Sequence, residues 1–131
     1  MDLPEAIRQG AKLTKPYAGT YFLSRNEEVE RSCALGAIVV AMRGMRILEA
    51  QNYLGPQMKS DFPELDVIVK MPTTPLNPIS AQVNEEAVRG GHRLDTAIWI
   101  LNDEHGWSRE QIADWIEQEV LTGKAVVRSD V

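Results

Sequence analysis

With one cysteine and two histidines in 131 residues, the chain holds little of what most metal and covalent chemistry is built from. Cys33 alone closes no internal disulfide and builds no multi-cysteine zinc site, which suits a reducing compartment. Long apolar runs are missing as well: the longest, Cys33 to Met42, falls short of the roughly 20 residues that span a bilayer. Asp2 and Glu5 stand where a secretory signal would carry basic residues. The expectation is a cytoplasmic protein, neither secreted nor membrane-bound. There is no glycine-rich phosphate loop, no HExxH spacing and no nucleophile–base–acid pattern, so the sequence assigns no catalytic residue and implies no cofactor.

Positive charge is scarce where the chain is most structured. The net charge is −5, but residues 1–46 carry seven Lys/Arg against five Asp/Glu, whereas residues 47–131 carry seven against fourteen. A surface of that sign repels phosphates and argues against nucleic acid as a partner. What the chain does have is 44% hydrophobic residues, enough to close one core, and a length of one ordinary domain, residues 1–131.

The strongest local signal is Leu94–Val120, which contains all three tryptophans. Leu94, Ala97, Ile98 and Leu101 fall at i, i+3, i+4 and i+7, one face of a helix that should stop near Asn102. Gly106 supplies a turn and Ser108 an N-cap, with Gln111 placed for a capping box and Trp107 and Ile112 for a hydrophobic staple. The second helix presents Ile112, Trp115, Ile116 and Val120 inward and Glu110, Asp114, Glu117 and Gln118 outward.

Upstream, Asp2 and Glu5 predict a short helix through about Gln9, ended by Gly10. Tyr17–Leu23 suits an extended piece, and Arg25–Arg31 reads as a solvated turn or the lead into a helix. Ser32 is the expected cap of a helix that is apolar all round, and therefore buried, as far as Gly44. A further helical turn or two over Met45–Tyr53 should face Ile47, Leu48 and Leu54 inward. Five prolines between Gly55 and Pro78 interrupt regular structure. Leu65–Val69 and Ala125–Arg128 are candidate strands, needing each other or Thr20–Leu23 as partners. Met71–Pro78 reads as an ordered loop or lid, and Ser80–Arg89 as a polar helix closed by Gly90 and Gly91. The fold expected is mainly α, a single domain of five or six helices with at most a small accessory sheet.

The pieces GAKLTKPYAGTYF, SCALGA and AIWILNDEHGWSREQIADWIE together resemble a family of small bacterial and phage proteins of unassigned role. Its members carry an early Cys-Ala-Leu-Gly-Ala helix and a late Asn-Asp…Trp-Ser/Thr-Arg-Glu…Ile-Ala-Asp-Trp segment, and the match covers about a third of this chain. What the resemblance implies is a bacterial or phage accessory protein. It brings no activity and no catalytic residues.

Four constellations invite chemistry. His92, Asp95, Asp103, Glu104 and His105 supply metal-ligand types, yet a helix of ten residues would hold the two histidines about 15 Å apart, and Asn102 and Asp103 also serve to close a turn beside an exposed His105. Cys33 near a helix start is a possible nucleophile, against which its Ala-Leu-Gly-Ala neighbours argue for a packed, inert thiol. SREQIADWI passes for the first helix of a helix-turn-helix, but no basic recognition helix follows. Trp99 and Ile100 lie off the Leu94/Leu101 face, so this helix is either sandwiched in the core or carries a contact surface with Trp107 and Tyr53 as further anchors. The favoured expectation is a non-enzymatic interaction or regulatory module, most simply a homodimer. A small-molecule binder using the Met71–Pro78 loop comes second, and a metal-dependent hydrolase at His92 or His105 last.

Overall fold

The computed structural model describes residues 1–72 and 91–127. Among them are six α-helices and two small sheets, a mainly α fold with an accessory sheet component. The expected helix at Ser80–Arg89 and most of the Met71–Pro78 loop lie outside the described residues.

Helix α1 (Leu3–Leu13) starts at Asp2, whose carboxylate accepts from the Glu5 amide at 2.9 Å. It buries Leu3, Ala6, Ile7 and Gly10, a stripe of helical period. Gly10 was expected to stop the helix and instead lies inside it. A Cβ there would come within 1.8 Å of the Ala37 carbonyl oxygen, so the glycine is a point of backbone contact with the central helix α2 (Ala34–Arg43).

Between them runs a three-stranded sheet: β1 (Lys15–Pro16) pairs in parallel with β3 (Glu28–Ser32), which pairs antiparallel with β2 (Phe22–Arg25). The charged stretch Arg25–Arg31 is thus half of a β-hairpin and not a lead into a helix. Its turn residues, Asn26 and Glu27, both have positive φ (54° and 66°), the requirement of a tight two-residue hairpin. Val29 and Ser32 point inward while Glu28 stays in water.

Helix α2 is buried from Ala34 to Val40, and Gly44 (φ 88°) ends it with an amide donating to Val40 O, as its sequence predicts. The cap is Cys33, not Ser32: the Cys33 sulfur accepts from the Gly36 amide at 3.4 Å. Ser32 belongs to β3, its hydroxyl drawn into a polar network described below. Gly36 again marks close approach, since a Cβ would sit 2.3 Å from the Tyr21 carbonyl oxygen.

Helix α3 (Ile47–Tyr53) is followed by α4 (Pro56–Asp61) and a 3-10 turn (Pro63–Asp66). Pro56 and Pro63 open these elements, at the position where the missing N–H costs nothing, so they punctuate the helices without abolishing them. Ala50 and Tyr53 are the buried residues of α3, and Leu48, expected inside, is 73% exposed because it lies one position off that face. Strand β4 (Ile68–Val69) pairs with β5 (His92–Arg93), and Val69 bridges Val126 on its other side. The two expected strand regions do meet, though Leu65 lies in the 3-10 turn and β5 is an additional partner.

Helix α5 (Leu94–Asp103) buries Leu94, Ala97, Ile98 and Leu101 completely. Gly106 (φ 70°) turns the chain, and Ser108 opens α6 (Arg109–Trp115) with both hydrogen bonds of the predicted capping box: Gln111 N to Ser108 Oγ at 3.0 Å, Ser108 N to Gln111 Oε1 at 2.8 Å. The helix widens into a π turn over Ile116–Val120, closed by Leu121 N donating to Ile116 O. Ile112, Trp115, Ile116 and Val120 all face the core.

Candidate functional site

A cleft of about 630 Å3 lies between α6 and the paired segments 70–72 and 124–125, a volume in the range of small-ligand sites. One wall is the helix and its lead-in: Gln111, Asp114 and Gln118 recur three or four residues apart on its exposed side, with Trp115 at their inner edge and Trp107 just ahead of the Ser108 cap. The other wall is fixed by backbone hydrogen bonds. Lys70 N donates to Ala125 O at 2.8 Å, and Ala125 N donates to Glu119 O at 2.7 Å, which sets Lys70, Met71 and Pro72 beside Lys124 and Ala125 along the end of the helix. Trp115, Met71 and Ala125 are buried behind the opening, and Trp107 is half-buried.

The charges of the cleft are unequally satisfied. Asp114 is held by Arg8 of α1 at 2.6 Å, and the same guanidinium reaches Glu117 at 2.8 Å and Glu110 at 3.1 Å. Its hydrogen bonds to Glu117 and Asp114 push the Arg8 pKa above its already high ordinary value. Lys70, Lys124 and Glu119 make no ion pair among the described residues.

The α5–α6 turn carries three buried polar atoms without partners among the described residues: both ring nitrogens of His105 and the indole Nε1 of Trp107. His105 was expected to be exposed. It is 1% exposed, and burial pushes its pKa below the usual histidine value. The remaining metal candidates are dispersed along α5: His92 on β5 ahead of it, Asp95 in its first turn with Lys59 and Arg93 each at 3.4 Å, Asp103 in its last turn accepting from Asn102 at 2.7 Å. Among the described residues no three His, Cys, Asp or Glu side chains gather as a metal site.

Of the interface candidates, Trp99 is 43% exposed on α5, whereas Ile100 is buried, because α5 meets the core over a wider face than one stripe. Tyr53 is buried too. Its hydroxyl donates to Asp61 at 2.6 Å, Arg43 lies 5.0 Å over its ring, and burial with Asp61 raises its pKa, so it anchors α3 to α4 and not a partner. The Cys33 thiol is buried, and desolvation raises its pKa, which leaves it protonated and poorly nucleophilic.

Two residues are central: Arg109, to which sequence reasoning assigned no role, and Asn102, which was expected to close a turn. Arg109, at the start of α6, is 8% exposed and donates to Thr14 Oγ1 (2.8 Å), Thr14 O (2.8 Å), Ala11 O (3.2 Å) and Ser32 Oγ (3.2 Å). Thr14 spends its hydroxyl proton on Gly10 O, so Ser32 donates in the 2.7 Å contact between the two hydroxyls. Burial lowers the Arg109 pKa, and the C-terminal carbonyls of α1 offset part of that cost. Asn102 accepts from Ala34 N at 3.1 Å and donates to Tyr17 O at 2.8 Å, tying α5 to the first turn of α2. All three stretches behind the family resemblance therefore converge on the start of α2, where Gly10, Thr14, Ser32, Gly36, Asn102 and Arg109 each do an architectural job.

No protein-family model, curated protein or solved structure matches the chain.

Proposed function

We propose that this protein is a non-enzymatic binding module that takes a small ligand in the α6 cleft, against Trp107 and Trp115. The observation that carries the reading is the cleft itself: about 630 Å3, with walls held by a capped helix and backbone pairing, and an apolar lining edged by charge. Met71 and Pro72, the beginning of the loop that the sequence points to as a ligand cover, line it. His92 and His105, at opposite ends of α5, give a hydrolase less to stand on. A cytoplasmic setting fits the single free, buried thiol, and no described helix is long and apolar enough to cross a membrane.

The test is a thermal-shift screen of small aromatic and amphipathic compounds on the wild-type chain and on Gln118→Trp, which would fill the cleft from an exposed position. A cleft ligand raises Tm with its concentration in the wild type alone. Compounds that stabilise both proteins equally would refute the assignment.

A second reading, self-association, is favoured by Trp99, a large apolar side chain left 43% exposed on α5.

A further inference from the structure

Two lysines of this acidic chain stand at the cleft. Lys70 and Lys124 both line it and neither has an ion-pair partner among the described residues. Asp114, on the facing wall, is held by Arg8 at 2.6 Å, a cation it shares with Glu110 and Glu117. Glu119 is the one carboxylate of the lining without an ion pair among the described residues, against two such lysines. Both lysines are anchored on paired backbone, Lys70 through its own amide to Ala125 O and Lys124 next to Ala125, which puts the two residues side by side on one wall. The interior beneath is aromatic and apolar: Trp107, Trp115, Met71 and Ala125.

We infer that the cleft is selective for organic anions with a flat apolar body, an aromatic carboxylate being the simplest: the ring lies against Trp107 and Trp115 while the carboxylate meets Lys70 and Lys124. The inference rests on the cleft being the binding site and adds the class of ligand. Both ammonium groups are exposed, so their attraction is of the modest, salt-screened kind, and the apolar body supplies the rest of the affinity. A neutral ligand of the same shape keeps the ring contacts and loses the charge contacts. A cationic one meets the two lysines, with Glu119 and the Arg8-bound Asp114 to turn to.

The experiment uses three probes of one shape and different charge: 2-naphthoate, 2-naphthamide and 2-naphthylmethylammonium. Each is titrated into the full-length chain while 1H–15N spectra follow the indole N–H signals, that of Trp107 being identified by its loss in Trp107→Phe. The expected result is that naphthoate moves the Trp107 and Trp115 signals with a Kd at least tenfold below that of the amide. That advantage should shrink with added salt and vanish in the double variant Lys70→Gln/Lys124→Gln, which substitutes exposed side chains and still binds the amide. If the amide or the ammonium compound moves the same signals at equal or lower concentration, anion selectivity is overturned and the cleft assignment stands. If none of the three moves them, the cleft assignment falls, and the inference with it.

Discussion

Arg109 Nη2 donates to the Thr14 carbonyl at 2.8 Å, so the first residue of α6 closes the last turn of α1. The same guanidinium reaches Ser32 at the end of β3, and no carboxylate takes part in either contact. Two elements, α1 and β3, that would otherwise end in unpaired buried groups end on one side chain.

The prediction for this network has a size. Hydrogen bonds to a charged group are worth about 1.5–3 kcal/mol, and a buried acceptor left alone costs about 1–3 kcal/mol. Arg109→Ala should therefore lose at least about 3 kcal/mol in urea denaturation. Arg109→Lys should recover only a minor part, because one ammonium cannot span Thr14 and Ser32 as the planar fork does. A change in the urea midpoint worth less than about 0.5 kcal/mol for the alanine variant would mean that water replaces the guanidinium without penalty.

Gly10→Ala sets two effects of opposite sign against each other. In an exposed helix interior the change is worth about 1 kcal/mol of added stability. Here the new Cβ would overlap the Ala37 carbonyl at 1.8 Å, and the obstacle is backbone, which cannot rotate away. Overpacking costs about 1–3 kcal/mol, so it wins, and α1 and α2 must separate. The expected outcome is a lower thermal midpoint for Gly10→Ala, and a midpoint at or above wild type would show that the helices are free to shift.

His105 makes stability fall in acid. Burial depresses its pKa in the folded chain, whereas the unfolded chain keeps a value near 6.5. Above about pH 6.5 both states hold the ring neutral and no difference arises. As the pH drops below that value the unfolded state takes up a proton that the folded state resists, so stability declines until the folded ring is protonated as well. His105→Phe removes this contribution along with two buried nitrogens that have no hydrogen-bond partner among the described residues. Its stability at pH 7.5 should equal or exceed that of wild type, and its decline between pH 6.5 and 5 should be shallower. Parallel pH profiles for the two proteins would place the proton uptake elsewhere.

These residues also show where sequence reading holds and where it stops. The Ser108–Gln111 capping box, the Gly44 stop and the Leu94–Leu101 stripe are signals complete within a turn or two of chain, and each reappears in the structure. Gly10 and Arg109 carry the opposite lesson: a glycine reads as a stop and an arginine as solvated until the partner helix is known. A turn was expected within Arg25–Arg31, but the hairpin around Asn26–Glu27 escaped because glutamate is an unusual residue at positive φ, which hides the strand pairing inside a charged run. Trp107 and Trp115 were visible as aromatic residues on a capped helix. The cleft they line was not, since its other wall depends on Lys70 finding Ala125 far along the chain.

Trp99 supports the prediction of self-association. With Ile100 in the core, the contact surface expected on α5 reduces to this one large ring, 43% exposed. A two-fold dimer centred on it would bring two acidic halves together, since residues 94–120 hold seven Asp/Glu against Arg109 alone, and that arginine is buried. Arg8 already neutralises part of the α6 carboxylate row, but one cation serves three acids. Repulsion therefore opposes association, and salt should weaken the repulsion more than it weakens apolar contact. In sedimentation equilibrium the dimer fraction should rise with ionic strength for wild type and be lost for Trp99→Ala, which, as an exposed substitution, leaves the thermal midpoint nearly unchanged. A monomer at every salt concentration would assign the exposed ring to no homodimer, and a dimer indifferent to Trp99→Ala would place the interface on another face.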